Sequence, residues 1–263
     1  MENKKNLSAG CIIPVFNEAR TIAGVLEAVL QSNLFNDVVM VNDGSTDESL
    51  KIGQKFKPQI KIVNLVKNMG KGCALSRGIK KTKTDLVVFI DADAVNLSRR
   101  HLKLILSPFS NPKVCGVVGF GKLIINNPAF LQGDRAYRRQ LLLPYLKQME
   151  KTRFGIELFL ETLAKQKKWH CRHVQLTGIK KLLKFDKTGF STQTLKAYLA
   201  EVAEIVNQAS RDKTKTAREI YTFQKNITAW MIKDYLKIPK KMLGSITKQS
   251  KKLKVLTKFL DNL

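Results

Sequence analysis

Short runs of apolar, largely β-branched residues alternate with helix-length amphipathic stretches in the first part of the chain, and this alternation restricts the fold more than any other feature. The apolar runs end in polar residues, as buried parallel strands do, and they occupy 11–16, 37–43, 61–66 and 85–93. Between the first two runs, the stretch 21–30 places its apolar side chains on one helical face. Strands that alternate with helices predict an α/β fold with a twisted, mostly parallel sheet.

The alternation of strand and helix patterns becomes less regular in the second half of the chain. The stretch 114–125 predicts a strand pair or a strand and a loop, and a helix interrupted near Pro144 is expected over 128–148. We then expect an amphipathic helix over 154–166 and a strand over 170–179.

The charge of the chain is strongly positive and unevenly distributed. Lys and Arg number 47 against 21 Asp and Glu, a formal net charge of +26. The first 130 residues hold 18 basic and 10 acidic residues (net +8), whereas the remainder holds 29 and 11 (net +18). Such a surface suits nucleic acid, an anionic membrane or phosphorylated substrates. Because the lysines follow helical spacing and the aromatic residues fall at core positions, nucleic acid is not expected as a partner.

The four cysteines and the hydropathy pattern indicate the compartment. Cys11, Cys73, Cys115 and Cys171 share no CxxC spacing, so they predict reduced thiols of a cytosolic protein rather than a disulfide set or a zinc site. The first ten residues are too polar for a signal peptide, and no apolar stretch reaches the ~18 residues that a membrane span requires. We therefore expect a cytoplasmic protein, with peripheral contact at the inner face of the cell membrane left open.

Polar residues follow three of the predicted strands where each strand ends. They are Asn17 and Glu18, Asn42 and Asp43, and Asp91 and Asp93. Any one Asp or Asn at such a position usually just ends a strand and makes a turn. Ligands of open α/β sheets bind outside the carboxyl ends of the strands, so the recurrence of these residues at one predicted edge favours a binding site.

Asp91 and Asp93 form the sharpest pair. Residues i and i+2 of an extended segment face the same way, so the two carboxylates can share a hard divalent cation such as Mg²⁺ or Mn²⁺. Such an ion keeps coordination positions for a diphosphate. A single DxD is common by chance, so the pair predicts a metal site only together with other motifs.

Four motifs, in this order and spacing, resemble the nucleotide-diphospho-sugar domain of family 2 glycosyltransferases. They are CIIPVFNEARTI, VNDGSTDES, NMGKGCALSRGI and FIDADA. The resemblance implies the GT-A fold, a Rossmann-like, mostly parallel sheet with a C-terminal helical extension. The catalytic domain is then expected over 1–190, with a nucleotide-binding part at 9–95 and an acceptor part at 96–190. A basic helical extension follows over 191–263.

The resemblance also implies roles for individual residues. Pro14, Asn17 and Glu18 would line the nucleoside pocket, with Glu18 toward the ribose. Asp43 would accept a hydrogen bond from the imide nitrogen of the base, which favours a uridine or guanosine donor. Lys71, between two glycines that allow close backbone approach, would lie by the donor phosphates.

In the same resemblance, Asp91 would face the ribose and the metal, and Asp93 the metal. A cation there would stabilise the charge that develops on the departing diphosphate.

The second half resembles the polyprenyl-phosphate glycosyltransferases of that family through GFGK at 119–122, LQGDRA at 131–136 and FGIELFL at 154–160. This resemblance implies that Lys122 and Arg135 hold a lipid phosphate. A phosphate monoester, with a second pKa near ~6, is already largely anionic at neutral pH and needs cationic placement more than a base.

Glu157 and His173 each carry two interpretations. Glu157 could act as general base for a hydroxyl acceptor or orient donor sugar hydroxyls, or it could simply pair with Arg153 or Lys165. His173 could be a third metal ligand, or a partly exposed strand histidine.

The basic segment 231–263 carries nine lysines and two aspartates interspersed with apolar residues. It fits an amphipathic helix on anionic lipid or one that packs on the domain.

Together these features predict a metal-dependent, inverting glycosyltransferase that moves a sugar from a UDP or GDP donor to an acceptor, with a polyprenyl phosphate favoured. A phosphoglycerate or saccharide acceptor is the enzymatic alternative. A nucleic-acid-binding protein and a non-catalytic relative of the GT-A enzymes are the others, and the presence of Lys71, Asp91 and Asp93 argues against the last.

Overall fold

The computed structural model of the protein describes residues 7–120 and 133–181, together with residues 191, 195, 196, 199, 200, 202 and 203. The chain divides into two compact units, Met1–Leu182 and Leu183–Leu263. Lys122 and the basic segment 231–263 lie outside the described residues, so their predicted roles stay predictions, as does the domain boundary after residue 190. No helix within the described ranges is long and apolar enough to cross a membrane.

A seven-stranded mixed sheet forms the centre of the first unit, in the order β3-β2-β1-β4-β7-β6-β8. Its strands are β1 Ala9–Val15, β2 Asp37–Asp43, β3 Lys61–Leu65, β4 Leu86–Phe89, β6 Gly116–Phe120, β7 Arg135–Arg138 and β8 Cys171–Gln175. β7 runs antiparallel to both of its neighbours, whereas the other adjacent pairs are parallel. Two short strands, β5 (Ala94–Val95) and β9 (Lys180–Lys181), pair separately. The predicted α/β class and mostly parallel sheet are confirmed.

Helices cover both faces of this sheet. They are α1 Ile22–Gln31, α2 Ser49–Gln54, α3 Lys71–Lys81, α4 Arg99–Leu106, α5 Arg139–Leu142, α6 Leu146–Glu150 and α7 Ile156–Gln166. Successive residues of a strand face opposite sides of the sheet. Cys11 and Ile13 of β1 therefore pack in the cluster that contains α1 and α4, whereas Ile12 packs in the cluster that contains α3, α6 and α7.

The helix predicted over 128–148 is wrong at Arg135–Arg138, which form β7. This strand lies between β4 and β6, so its backbone pairs on both sides, and its central residues Ala136 and Tyr137 are fully buried. Helix α5 begins only at Arg139, and Pro144 lies in the 3-10 turn Leu143–Tyr145. This short segment is a strand because it pairs with two neighbouring strands, and no periodicity in the local sequence indicates that pairing.

Candidate functional site

The loops after β1 and β2 are bonded to each other at the carboxyl edge of the sheet. The backbone N–H of Asn17 donates to Oγ of Ser45 over 3.0 Å, and Oδ1 of Asn17 accepts from the N–H of Thr46 over 2.8 Å. The N–H of Glu18 donates to Oγ of Ser49 over 2.8 Å. Side chains of the second motif therefore satisfy N–H groups that precede helix α1, and they fix the two loops as one structure.

The residues predicted for the nucleoside pocket all lie at this edge. Pro14 is a partly exposed residue of β1, opposite Val41 of β2. Asn17 is exposed and adopts a left-handed backbone conformation with φ of 56°, which Asn tolerates better than most residues. The carboxylate of Glu18 accepts from Oγ1 of Thr21 over 3.1 Å. The structure therefore places these three residues together, and their contact with a nucleoside stays a prediction.

Asp43, at the end of β2, holds the loop that leads into α3. Its Oδ1 accepts from the N–H of Met69 over 2.7 Å and its Oδ2 from the N–H of Gly70 over 2.8 Å, and the residue is 3% exposed. Burial raises the pKa of the Asp43 carboxyl above its usual value, although the two amide donors and the charge of Arg153 oppose that rise. The predicted contact with a base is untested, and this structural role was not predicted.

The side chain of Asn42, the neighbour of Asp43, connects two strands of the sheet. Its Nδ2 donates to Oδ1 of Asn64 over 2.7 Å and so joins the ends of β2 and β3. Its own Oδ1 is buried and has no hydrogen-bond partner within the part of the chain that the structure describes. One acceptor with an unmet hydrogen bond therefore remains beside Asp43.

The glycines on either side of Lys71 allow other parts of the protein to approach. Gly70 has φ of 91°, and a Cβ on it would lie 2.7 Å from Cα of Arg153. A Cβ on Gly72 would overlap the carbonyl oxygen of Met149. The two glycines therefore provide room for the segment that leads from α6 into α7. That packing brings the start of α7 to the start of α3.

Lys71 joins two acids that are far from it in sequence. Its Nζ lies 2.6 Å from Oδ1 of Asp91 and 2.6 Å from Oε1 of Glu157. The three side chains are 17%, 17% and 14% exposed, so a ligand can reach the cluster. Glu157 therefore pairs with Lys71. Of the two partners considered from the sequence, Arg153 and Lys165, Lys165 pairs with Glu161. The start of α3, the end of β4 and the start of α7 therefore meet at one charged cluster.

Asp91 and Asp93 lie in a turn and not in an extended segment as predicted. Strand β4 ends at Phe89, and the turn is closed by bonds from the N–H of Ala94 to the carbonyl of Asp91 (3.2 Å) and from the N–H of Val95 to the carbonyl of Asp93 (2.9 Å). Ala92 is buried in the core, whereas both carboxylates stay partly exposed. The turn therefore leaves both acids accessible.

This pair of acids fits a hard divalent cation. Both offer only carboxylate oxygens, which Mg²⁺ and Mn²⁺ prefer. Among residues 7–120 and 133–181, no three His, Cys, Asp or Glu residues lie close enough together to hold a metal ion. Oxygens of the diphosphate and of water could supply further ligands of such an ion.

His173 is not brought to this pair. It is an exposed residue of β8, where it lies opposite Val118. Strands β7 and β6 separate β8 from β4, which corresponds to about 14 Å at the usual spacing of strands. The prediction of His173 as a third metal ligand is therefore not supported, and the partly exposed strand histidine is what the structure contains.

Arg135 lies inside the protein. It is 1% exposed, and its Nη1 donates to the hydroxyl of Tyr137 over 3.3 Å and lies 3.9 Å from Oε2 of Glu161. Burial lowers the pKa of the Arg135 guanidinium, but Tyr137, Glu157 and Glu161 together outweigh burial and raise it, so the group stays charged. This location does not support direct contact with an acceptor phosphate. Neither Tyr137 nor Glu161 stood out in the sequence: Tyr137 belongs to a strand that was predicted as a helix, and Glu161 comes from a separate element, α7.

Curated relatives match only part of the chain. A poly-β-1,6-N-acetyl-D-glucosamine synthase of Staphylococcus epidermidis is 32% identical over 111 residues, which are 41% of this chain and 27% of that protein. A dolichyl-phosphate β-glucosyltransferase of Trichomonas vaginalis is 34% identical over 94 residues, 31% of this chain and 28% of that protein. The chain thus matches just over a quarter of the length of these relatives.

The fold has solved counterparts. The glucosyl-3-phosphoglycerate synthase of Mycobacterium tuberculosis, crystallised with Mn²⁺, UDP-glucose and phosphoglyceric acid, superposes with a TM-score of 0.60 at 21% identity. The superposition covers 79% of this chain and 80% of that one. At this identity the likeness concerns the fold alone, and it confirms the expected GT-A architecture.

The match to a family spans most of the chain. The model of the family described as glycosyl transferase family 2 matches residues 11–206, from the middle of β1 to beyond the last described residue. This range contains the four motifs and the cluster of Lys71, Asp91 and Glu157. The chain belongs to glycosyl transferase family 2.

Proposed function

We propose that this glycosyltransferase moves a sugar from a UDP or GDP donor to a polyprenyl phosphate, with inversion and with Mg²⁺ or Mn²⁺ held by Asp91 and Asp93. The observation that carries the proposal is the contact of Lys71 with Asp91 and Glu157 at the carboxyl edge of the sheet. It places a cation and two acids where ligands of α/β sheets bind. The dolichyl-phosphate glucosyltransferase among the relatives supports the choice of acceptor.

The nucleoside would lie among the ends of β1 and β2. Pro14, Asn17 and Glu18 line this edge, and Asp43 is available to the base only through lone pairs that Met69 and Gly70 leave unused. Because the loops after β1 and β2 are bonded together, the pocket is already arranged before the donor arrives. A rigid pocket of this kind reduces the entropy lost on binding.

Lys71 would contact the donor diphosphate. Its ammonium group is held by two carboxylates, so its position is set before the reaction and needs no reorganisation as charge develops on the leaving oxygen. A divalent ion on Asp91 and Asp93, when bound, supplies further neutralisation of that charge.

Glu157 would orient the donor sugar. Only Oε1 of its carboxylate takes part in the bond to Lys71, so the second oxygen can accept from a sugar hydroxyl. A phosphate acceptor is already an anion at neutral pH and needs no proton removed. The orienting role therefore suits a phosphate acceptor better than the role of general base does.

A soluble acceptor is the second candidate. It is supported by the superposition on an enzyme crystallised with phosphoglyceric acid and by the relative that makes a polysaccharide. With such an acceptor the protein would need no contact with a membrane.

A screen of UDP and GDP sugars with Mn²⁺ or Mg²⁺, followed by release of the nucleotide, tests the proposal. The reactions contain a polyprenyl phosphate, 3-phosphoglycerate, a chitooligosaccharide or no acceptor. We expect release that requires the metal and is stimulated most by the polyprenyl phosphate. Stimulation by another acceptor alone would replace the lipid with that acceptor, and no release from any donor would contradict the proposed function.

A further inference from the structure

The two residues that precede β7 lie directly against the end of β4. Because β7 is antiparallel to β4 and Arg135 pairs with Phe89, the start of one strand adjoins the end of the other. The N–H of Asp91 donates to Oδ1 of Asp134 over 3.1 Å. The carbonyl of Asp134 accepts from the N–H of Gly119 over 2.9 Å, so this point is also tied to β6.

Asp134 is a buried acid, with 2% of its surface exposed. A buried carboxylate is costly unless hydrogen bonds compensate it, and the N–H of Asp91 supplies one such bond to Asp134. The pKa of the Cys11 thiol, in β1, is raised mainly by burial and further by the negative charge of Asp134. The bond from the Asp91 N–H therefore fixes the backbone of Asp91 from the interior of the sheet.

Gly133 leaves room for the side chain of Asp91. A Cβ on Gly133 would overlap Oδ1, Oδ2 and Cγ of the Asp91 carboxylate. Gly133 has no left-handed backbone conformation, so the absence of a side chain here serves space alone. The Asp91 carboxylate is thus held between the backbone of Gly133 and the ammonium group of Lys71.

We propose that Gly133 and Asp134 are positioning residues for Asp91. Asp134 fixes the backbone of Asp91 through its N–H, and Gly133 supplies the space that its carboxylate occupies. The consequence for donor binding rests on the proposed function, whereas the geometry does not. Gly133 and Asp134, which belong to a segment that was expected to contact an acceptor, would then act on the donor side of the reaction.

A double-mutant cycle tests the geometry without reference to activity. Gly133→Ala is made in the natural chain and in Asp91→Ala, and the unfolding equilibrium of each is measured in urea. We expect Gly133→Ala to lower the folding constant at least about tenfold, or about 1.4 kcal/mol, in the natural chain. In Asp91→Ala, where the overlapping atoms are gone, the loss should fall below about threefold. Equal losses in both backgrounds would overturn the role of Gly133.

Gly24→Ala is the matched control. Gly24 lies in α1, and a Cβ on it would meet nothing within 4 Å. This substitution should cost no stability in either background, because Ala is favoured over Gly inside a helix.

Titration calorimetry of UDP and of GDP with Mn²⁺ tests the consequence for the donor. We expect Gly133→Ala and Asp134→Ala to weaken binding at least about tenfold. Losses of this size are typical when a residue that orients a metal-binding side chain is replaced. Asp134→Asn keeps an acceptor oxygen for the Asp91 N–H, so its affinity should stay closer to that of the natural chain than the affinity of Asp134→Ala. Unchanged binding by Gly133→Ala and Asp134→Ala, with both folded, would overturn the inference. If the natural chain binds neither nucleotide, the proposed function fails, and the double-mutant cycle alone decides the geometry.

Discussion

The Nζ atom of Lys71 lies 2.6 Å from Oδ1 of Asp91, and the same ammonium group lies 2.6 Å from Oε1 of Glu157. The first residue of α3 therefore places its ammonium group between Asp91, which follows β4, and Glu157, in the first turn of α7. A donor diphosphate that entered this edge would meet a positive charge whose position is fixed on two sides. Substitutions in this cluster therefore test its part in the function.

Replacing Lys71 by Met should abolish most activity. The substitution removes the cation and leaves the two partly buried carboxylates without their shared partner. We expect the rate of nucleotide release to fall by about a hundredfold or more, as for removal of one preorganised donor. Lys80→Met is the control, because Lys80 is on the same helix and pairs with Glu150 away from the site. Equal effects of the two substitutions would show that Lys71 acts only through the stability of α3.

Replacing Asp43 by Asn should destabilise the loop before α3. The carboxylate accepts one N–H on each oxygen, and an amide side chain has only one oxygen. One of the two N–H groups, of which that of Gly70 is buried, then loses its partner, which costs about 1–3 kcal/mol when the group is buried. Urea unfolding measures this loss, with Glu48→Gln as an exposed control of the same charge change. An unchanged midpoint for Asp43→Asn would contradict the structural role described for this residue.

Replacing Arg135 by Met should act on stability and not selectively on the acceptor. The guanidinium is fully buried beside Tyr137 and Glu161, and its removal takes one of its positive partners from Glu161. We expect a loss of about 3 kcal/mol, the lower end for breaking a buried pair, because Lys165 still contacts Glu161. Arg100→Met, at an exposed position of α4, is the control. If Arg135→Met kept the stability of the natural chain and only the KM for the acceptor rose, Arg135 would be an acceptor ligand as its motif implies.

The contribution of Glu150 to stability should depend on pH. The hydrogen bond from Lys80 lowers the pKa of Glu150 from its usual 4.5, with further lowering by Ser76 and Arg77. The stabilisation is therefore fully present above 4.5 and is lost as the pH falls through the lowered folded-state value. At pH 7 we expect Glu150→Gln to cost about 0.5–1 kcal/mol, as for a partly exposed ion pair.

Urea unfolding of the natural chain and of Glu150→Gln, measured at pH 7 and in steps below 4.5, reports this dependence. The two curves should converge toward acid pH. A difference that persisted unchanged would assign the effect to packing between α3 and α6.

The parts of the fold that the sequence could predict are those encoded locally. Strands β1 to β4 and helix α1 appear as apolar runs and a helical face, and the edge that the strand ends share follows from a parallel sheet. The bond between Lys71 and Glu157 joins residues 86 positions apart, so no local pattern contains it. Similarly, β7 is a strand because it fills the gap between β4 and β6, and the same arrangement buries Arg135.

The residue types of the candidate site are visible in the sequence, whereas their contacts are not. Asp91 and Asp93 were expected in an extended segment, yet a turn that buries Ala92 leaves them accessible in another way. The glycines beside Lys71 were expected to admit a ligand, and the structure shows a second use for them, since they admit the segment that leads into α7. Residue types that suit a chemistry can be recognised in a sequence, whereas the packing that orients them arises only from the whole fold.

The rate of nucleotide release by Asp93→Ala, with Mn²⁺ and the best UDP or GDP sugar, tests the central claim most directly. Glu27→Ala, which removes an exposed acid from α1, is the control. We expect Asp93→Ala to lose activity by about a thousandfold or more, because the support of charge on the leaving group is lost, while its unfolding midpoint stays near that of the control. A folded Asp93→Ala that releases nucleotide as fast as the natural chain would contradict the account.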